Sequence, residues 1–189
     1  MEKIILASGS PRRKQLLEWA EIAFDVMVSD TDESYPDGLS FEETAVYIAR
    51  NKALAVQPLN KANLTVLAAD TIVVCNDRII GKPKDREDAI NILTELSGNT
   101  HKVITGVAIV NKESEKTFAD ITTVIFHDIT REQIEFYVDK YKPYDKAGAY
   151  AIQEWIGVVG IKKVDGDFYN VMGLPVSRVV RALVVGDKP

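Results

Sequence analysis

Short unbroken apolar runs and longer stripes of helical period alternate along this chain. Unbroken runs between turn signals suit buried strands, and apolar residues recurring every three to four positions suit helices packed on one face. Lys3 to Ala7 is the first strand candidate. It hands over at Ser8-Gly9-Ser10-Pro11 to a helical run, Arg12 to Trp19, whose apolar residues are Leu16, Leu17 and Trp19. Pro11 suits the first helical position and Ser10 the N-cap. A second strand is expected over Phe24 to Val28, followed by an acidic loop from Asp30 to Asp37. Ser40 and Glu43 have the spacing of a capping box, in which each side chain satisfies the other's unpaired amide. The helix they open should stop near Pro58.

Thr65 to Cys75 reads as a buried strand, turned by Asn76-Asp77-Arg78 into a partner at Ile79-Ile80. A helix from about Asp85 to Leu96 should end at Ser97-Gly98, since glycine takes the left-handed C′ position at little cost. Val103 to Val110 and Thr117 to Phe126 predict an antiparallel pair around Asn111 to Lys116. Thr130 and Gln133 form a second capping box, and the helix they open ends before Pro143. Strands are expected over Ala149 to Ile152 and Val158 to Val164, then a turn at Asp165-Gly166-Asp167 and a last helix over Pro175 to Val184. Hairpins interrupt the alternation of helix and strand. The fold class expected is therefore α/β with a mixed sheet and flanking helices, not a doubly wound parallel sheet.

The 189 residues suit one domain over 1–189, with room for two lobes. Cys75 alone allows no internal disulfide, and Met1 to Ile5 lacks the apolar stretch of a signal peptide, so a reducing, cytoplasmic setting is expected. No run approaches the ~18–20 apolar residues of a membrane span, which removes a membrane as partner. Basic residues number 23 against 28 acidic, a net charge of −5. Coating a long nucleic acid needs a broad basic footprint that this balance lacks. A small phosphate-bearing ligand stays open, because one pocket needs only a few local cations.

Several segments carry candidate chemistry. Ser8-Gly9-Ser10-Pro11-Arg12-Arg13 lies where a strand meets a helix, and free amides, the helix dipole and two forked guanidinium groups all favour a phosphate there. The same residues also read as a capped helix with two solvated arginines. Lys52 shares one helical stripe with Ala45, Ile48, Ala49, Ala53 and Val56. Its ammonium either snorkels to water past the core edge or reaches into a ligand pocket. Asp70 interrupts the apolar run Val66 to Val74. A carboxylate there needs a partner, a metal or a proton, and a strand-end aspartate beside a cleft is a frequent general base. Turn formation is the alternative, with no Gly, Pro or Asn beside it in support. Glu33, in Asp30-Thr31-Asp32-Glu33, could supply an oxygen to Mg²⁺ or simply belong to a solvated acidic turn. Lys82 stands between Gly81 and Pro83. His101 and His127 share no zinc-ligand spacing with each other or with Cys75, so neither zinc nor Cys–His catalysis is supported.

Taken in order, these segments resemble the Maf proteins, a family of house-cleaning nucleoside triphosphate pyrophosphatases associated with septum formation. The resemblance rests on Ser8-Gly9-Ser10-Pro11-Arg12-Arg13 with Leu16-Leu17, Ala49-Arg50-Asn51-Lys52-Ala53, Ala69-Asp70-Thr71-Ile72-Val73 and Gly81-Lys82-Pro83. It continues through Ser97-Gly98, His101, Val103, Thr105-Gly106, Lys146 to Gln153, and Asn170-Val171-Met172-Gly173-Leu174-Pro175. It implies an ITPase-like mixed α/β fold with two lobes around a cleft, often a homodimer. The reaction it implies converts a nucleoside triphosphate to monophosphate and pyrophosphate with a divalent cation, Mg²⁺ or Mn²⁺.

Ala149 to Gln153 resembles the branch directed to dTTP and UTP. By motif position the resemblance implies Asp70 as proton acceptor, and Arg12, Thr71 and Gln153 as determinants of base choice. Ser8, Arg13, Lys52 and Lys82 would hold phosphates, and Glu33 with Asp70 the metal. Two positions depart from the family pattern: Asn99, where a basic residue is common, and Glu154-Trp155, where a glycine is common after Gln153. The competing readings are a non-catalytic nucleotide-binding regulator of septation and a pyrophosphatase for a different noncanonical nucleotide.

Overall fold

The computed structural model describes residues 2–184, so the domain expected over 1–189 runs past the described residues at both ends. Seven strands form one mixed sheet with the hydrogen-bonded order β2-β1-β3-β5-β6-β7, and β4 pairs on β3. The expected mixed α/β class is what this arrangement is. By internal contacts the described residues divide into two units, one built from 2–71, 105–120 and 173–184, the other from 72–104 and 121–172. Among the described residues no helix is long and apolar enough to cross a membrane.

In the first unit, β1 (Ile4–Leu6) runs parallel to β2 (Phe24–Val26) on one side and to the start of β3 (Val66–Cys75) on the other, with Ile5 opposite Val66. A parallel pair needs a long crossover. Helix α1 (Pro11–Trp19) lies in the connection from β1 to β2, and α2 (Phe41–Val56) in that from β2 to β3. Pro11 opens α1 after Ser10 as expected, but the Ser10 side chain makes no capping bond. Its amide instead donates to Ser8 Oγ at 3.3 Å. The Ser40–Glu43 capping box forms with both of its bonds, 3.2 and 2.8 Å. The apolar stripe of α2 packs through Ala49, Ala53 and Val56 on Ile5, Val66 and Ala108. Gly106 sets how close that helix comes, because a Cβ there would sit 2.1 Å from the Ala45 backbone.

In the second unit β3 continues into a hairpin with β4 (Arg78–Ile80), Val73 facing Ile80. Helix α3 (Arg86–Leu96), capped by Asp85, packs against α4 (Arg131–Tyr141), which opens on the Thr130–Gln133 capping box. Strands β5 (Thr100–Val110) and β6 (Glu115–Phe126) are neighbours joined by a turn too short for a parallel crossover, hence antiparallel. β7 (Ile161–Asp165) pairs antiparallel to β6. Two short helices, α5 (Trp155–Gly160) and α6 (Phe168–Met172), precede α7 (Val176–Val184), which belongs to the first unit.

The strands expected over Ala149–Ile152 and Val158–Val164 are the main correction. Ala147–Ala149 is a single 3₁₀ turn, with φ of +71° at Gly148 and +57° at Ala149, left-handed values that no strand uses. A Cβ on Gly148 would also meet the Val73 side chain at 3.0 Å. Further on, the β-branched pair Val158-Val159 lies in a helical turn, because the amides of Gly157 and Val158 both donate to the Glu154 carbonyl. Only residues from Ile161 onward pair as a strand.

Candidate active site

Along β3 every side chain is buried except the adjacent pair Asp70 and Thr71, which are partly open. Two cations of the first unit converge on that pair, one on each residue.

Lys52 sits on the apolar stripe of α2, and its stem follows the core to place Nζ 2.6 Å from Asp70 Oδ1 and 2.7 Å from Glu33 Oε1. Lys52 and Asp70 have side-chain exposures of 18% and 14%, and Glu33 55%. This ammonium therefore neither floats in water nor lies unpaired in the core. It is shared between a carboxylate fixed by a strand and one carried on an exposed loop.

Arg13 reaches the other side of the pair. Its Nε donates to the Gly173 carbonyl at 2.8 Å, Nη1 to Ser8 Oγ at 3.0 Å and Nη2 to Thr71 Oγ1 at 3.0 Å. Thr71 Oγ1 is also 2.9 Å from the buried Thr105 hydroxyl. Burial pushes the Arg13 guanidinium below its usual value; Asp70 pulls it back up, Arg12 pushes it further down and Glu33 again raises it. Arginine titrates so high that the group stays charged. Ser8 Oγ accepts from Arg13 and from the Ser10 amide, which occupies both its lone pairs. Its hydroxyl hydrogen is then what it can offer, and an anion at the N-terminus of α1 is a suitable acceptor.

The structure thus brings together six of the residues singled out in the sequence: Ser8, Arg13, Thr71, Glu33, Lys52 and Asp70. Arg12 is the neighbour of Arg13 on α1, partly exposed. Lys82 and Gln153 belong to the second unit, and both are exposed. Thr105 and the Gly173 carbonyl went unnoticed as contributors. A main-chain carbonyl leaves no trace in a sequence, although the glycine, buried and at φ +115°, was part of a recognised motif.

For a divalent cation the donor set is small. Among the described residues there is no cluster of three or more His, Cys, Asp or Glu side chains. Glu33 and Asp70 nonetheless both reach one ammonium, and two carboxylates are what Mg²⁺ commonly takes from a protein when substrate phosphates complete its shell. The residues fit a cation that arrives with its substrate.

A family model described as Maf-like protein matches residues 3–185. A dTTP/UTP pyrophosphatase of Parabacteroides distasonis is 49% identical over 182 residues, covering 96% of this chain and 94% of the relative. One from Cytophaga hutchinsonii is 51% identical over 180 residues, covering 95% and 82%. Among solved structures, the Ham1 protein of Staphylococcus aureus aligns over 99% of this chain and 100% of its own with a TM-score of 0.50 at 19% identity, a likeness of fold.

Proposed function

The chain belongs to the Maf-like family, and from that premise we propose that it is a house-cleaning dTTP/UTP pyrophosphatase, with residues 1–189 acting as one domain. The substrate would be cleaved to the nucleoside monophosphate and pyrophosphate. The observation that carries this reading is the Lys52 ammonium bridging Glu33, on an exposed loop, and Asp70, on a strand where only Asp70 and Thr71 are not buried.

Asp70 is the general base: it takes a proton from the water that attacks the α-phosphorus. Lys52 keeps that carboxylate oriented and, with Arg13 and Lys82, neutralises charge on the phosphate oxygens, to which the Ser8 hydroxyl donates. Such preorganised charge is the main contribution a protein makes to phosphoryl transfer. A divalent cation held by Glu33 and Asp70 would supply further neutralisation and orient the triphosphate. Arg12, Thr71 and Gln153 bear on base choice. Gln153 has a donor and an acceptor to match a pyrimidine imide edge. The Thr71 hydroxyl already accepts from Arg13, so it passes substrate contacts on to that cation.

A screen of common and modified nucleoside triphosphates with Mg²⁺ or Mn²⁺, reading pyrophosphate release, tests the proposal. UTP and dTTP should be processed fastest. Faster turnover of purines would move the substrate to another nucleotide, and saturable binding without pyrophosphate would make the protein a sensor.

A further inference from the structure

Gln153 is displayed by a turn whose two ends are tied to one buried hydroxyl. The Glu154 amide donates to the Ala151 carbonyl at 3.1 Å, so Ala151–Glu154 is a hydrogen-bonded β-turn with Gln153 at its third position. Ala151 and Ile152 are buried beneath it, and Gln153 is exposed. Tyr137, fully buried on α4, meets both ends. Its hydroxyl oxygen accepts from the Ala151 amide at 3.1 Å, and its hydroxyl proton goes to Glu154 Oε2. The buried Lys146 ammonium lies 3.6 Å from the other Glu154 oxygen and 2.8 Å from Asp145. Beyond the turn, a Cβ on Gly157 would fall 1.7 Å from the Ile152 carbonyl oxygen, so the chain leaves the turn in close contact with it.

We propose that Tyr137 and Glu154 are positioning residues for nucleobase selection, clamping the turn so that Gln153 presents its amide in one direction. This rests on the reading of Gln153 as a base-contacting residue. A freely rotating turn would let a glutamine accept many hydrogen-bonding edges, whereas a fixed one discriminates, because mismatched polar groups are left unpaired. Tyr137 stood on the apolar stripe with Ile134 and Val138, and a phenol there signals a buried partner for its hydroxyl.

The test compares kcat/KM for UTP and for GTP in Tyr137→Phe, Glu154→Ala, Glu154→Gln and Gln153→Ala. In Tyr137→Phe and Glu154→Ala the UTP-over-GTP ratio should drop about tenfold, mainly through the KM for UTP. Glu154→Gln, whose amide oxygen still accepts from the phenol, should keep most of the ratio. Glu154→Ala carries the test by itself if Tyr137→Phe fails to fold. The clamp is overturned, with the reading of Gln153 intact, if Gln153→Ala collapses the ratio and the clamp variants do not. It is also overturned if those variants slow every nucleotide by one factor, or if Glu154→Gln behaves as Glu154→Ala. An unchanged ratio in Gln153→Ala removes the reading of Gln153 and the clamp with it.

Discussion

The Asp70 cluster of the first unit and the His101 cluster of the second both place titratable groups away from open water, and they do so by opposite means. In the first, Lys52 is matched by two carboxylates and Arg13 by three uncharged oxygens, so the charges are kept. In the second, His101 on β5 is buried, with its ring edge-on to Phe126 at 5.1 Å and to Tyr150 at 5.4 Å. Nε2 is 2.7 Å from the Tyr150 hydroxyl, and Nδ1 has no hydrogen-bond partner. Burial holds the imidazole down at about 4 and pushes the Tyr150 phenol up, so both are neutral at pH 7. A protein retains buried charge at a cost. The first unit bears that cost around Asp70, where a polyanionic substrate gives the charges work, and the His101 cluster of the second unit sheds it.

The sharpest way to break the contrast is to neutralise the charged cluster at its centre. Asp70→Asn keeps the shape and hydrogen-bonding reach of the side chain but cannot take a proton from water. Pyrophosphate release should fall ~10²–10⁴-fold, the usual scale for a general base. Thermal unfolding should show the fold intact. Turnover near that of the wild type would remove Asp70 from the role.

How legible this was from sequence depended on how local the cause was. Both capping boxes were visible because each is a pair of side chains three residues apart acting on their own helix. Lys52 and Asp70 stood out separately, a cation on an apolar stripe and a carboxylate in an apolar strand. The ion pair that explains both needed the fold, and so did Glu33 as its third member. After Pro143 the turn at Asp165-Gly166-Asp167 and the last helix lie where expected, but the strand over Ala149–Ile152 and the start of the one at Val158 were misread, because Gly148 is packed against Val73 and Gly157 against the Ile152 carbonyl. Valine-rich propensity lost there to tertiary contacts.

The neutral side of the contrast has its own test. A histidine whose folded pKa lies near 4, against 6.5 unfolded, binds protons more readily in the unfolded chain. Its contribution is therefore full above 6.5 and is lost as pH falls towards 4, amounting to about 2 kcal/mol by pH 5. Replacing His101 alone would orphan the Tyr150 hydroxyl, so the cleaner variant is His101→Phe with Tyr150→Phe, which removes both partners. Urea unfolding should show that the double variant loses about 2 kcal/mol less than the wild type between about pH 7.5 and pH 5. Equal losses would mean that His101 does not carry the acid limb.

Within the charged cluster around Asp70, the two cations should separate in a double-mutant cycle with Asp70→Asn. Removing one partner of a buried ion pair costs ~3–5 kcal/mol. Glu33 is more than half exposed, so Lys52→Met should cost about 1–2 kcal/mol at neutral pH. That cost comes from two carboxylates left facing each other, so it should shrink when Asp70→Asn is added and one of the two charges is gone. Arg13→Met deprives Ser8, Thr71 and the Gly173 carbonyl of a donor, again at about 1–2 kcal/mol, but none of these partners titrates. Its coupling to Asp70 should be small, set only by the through-space action of that carboxylate on the guanidinium. Urea midpoints for both variants, each with and without Asp70→Asn, make the comparison. If Lys52→Met costs as much beside Asp70→Asn as it does in the wild type, the two carboxylates are not what that lysine balances.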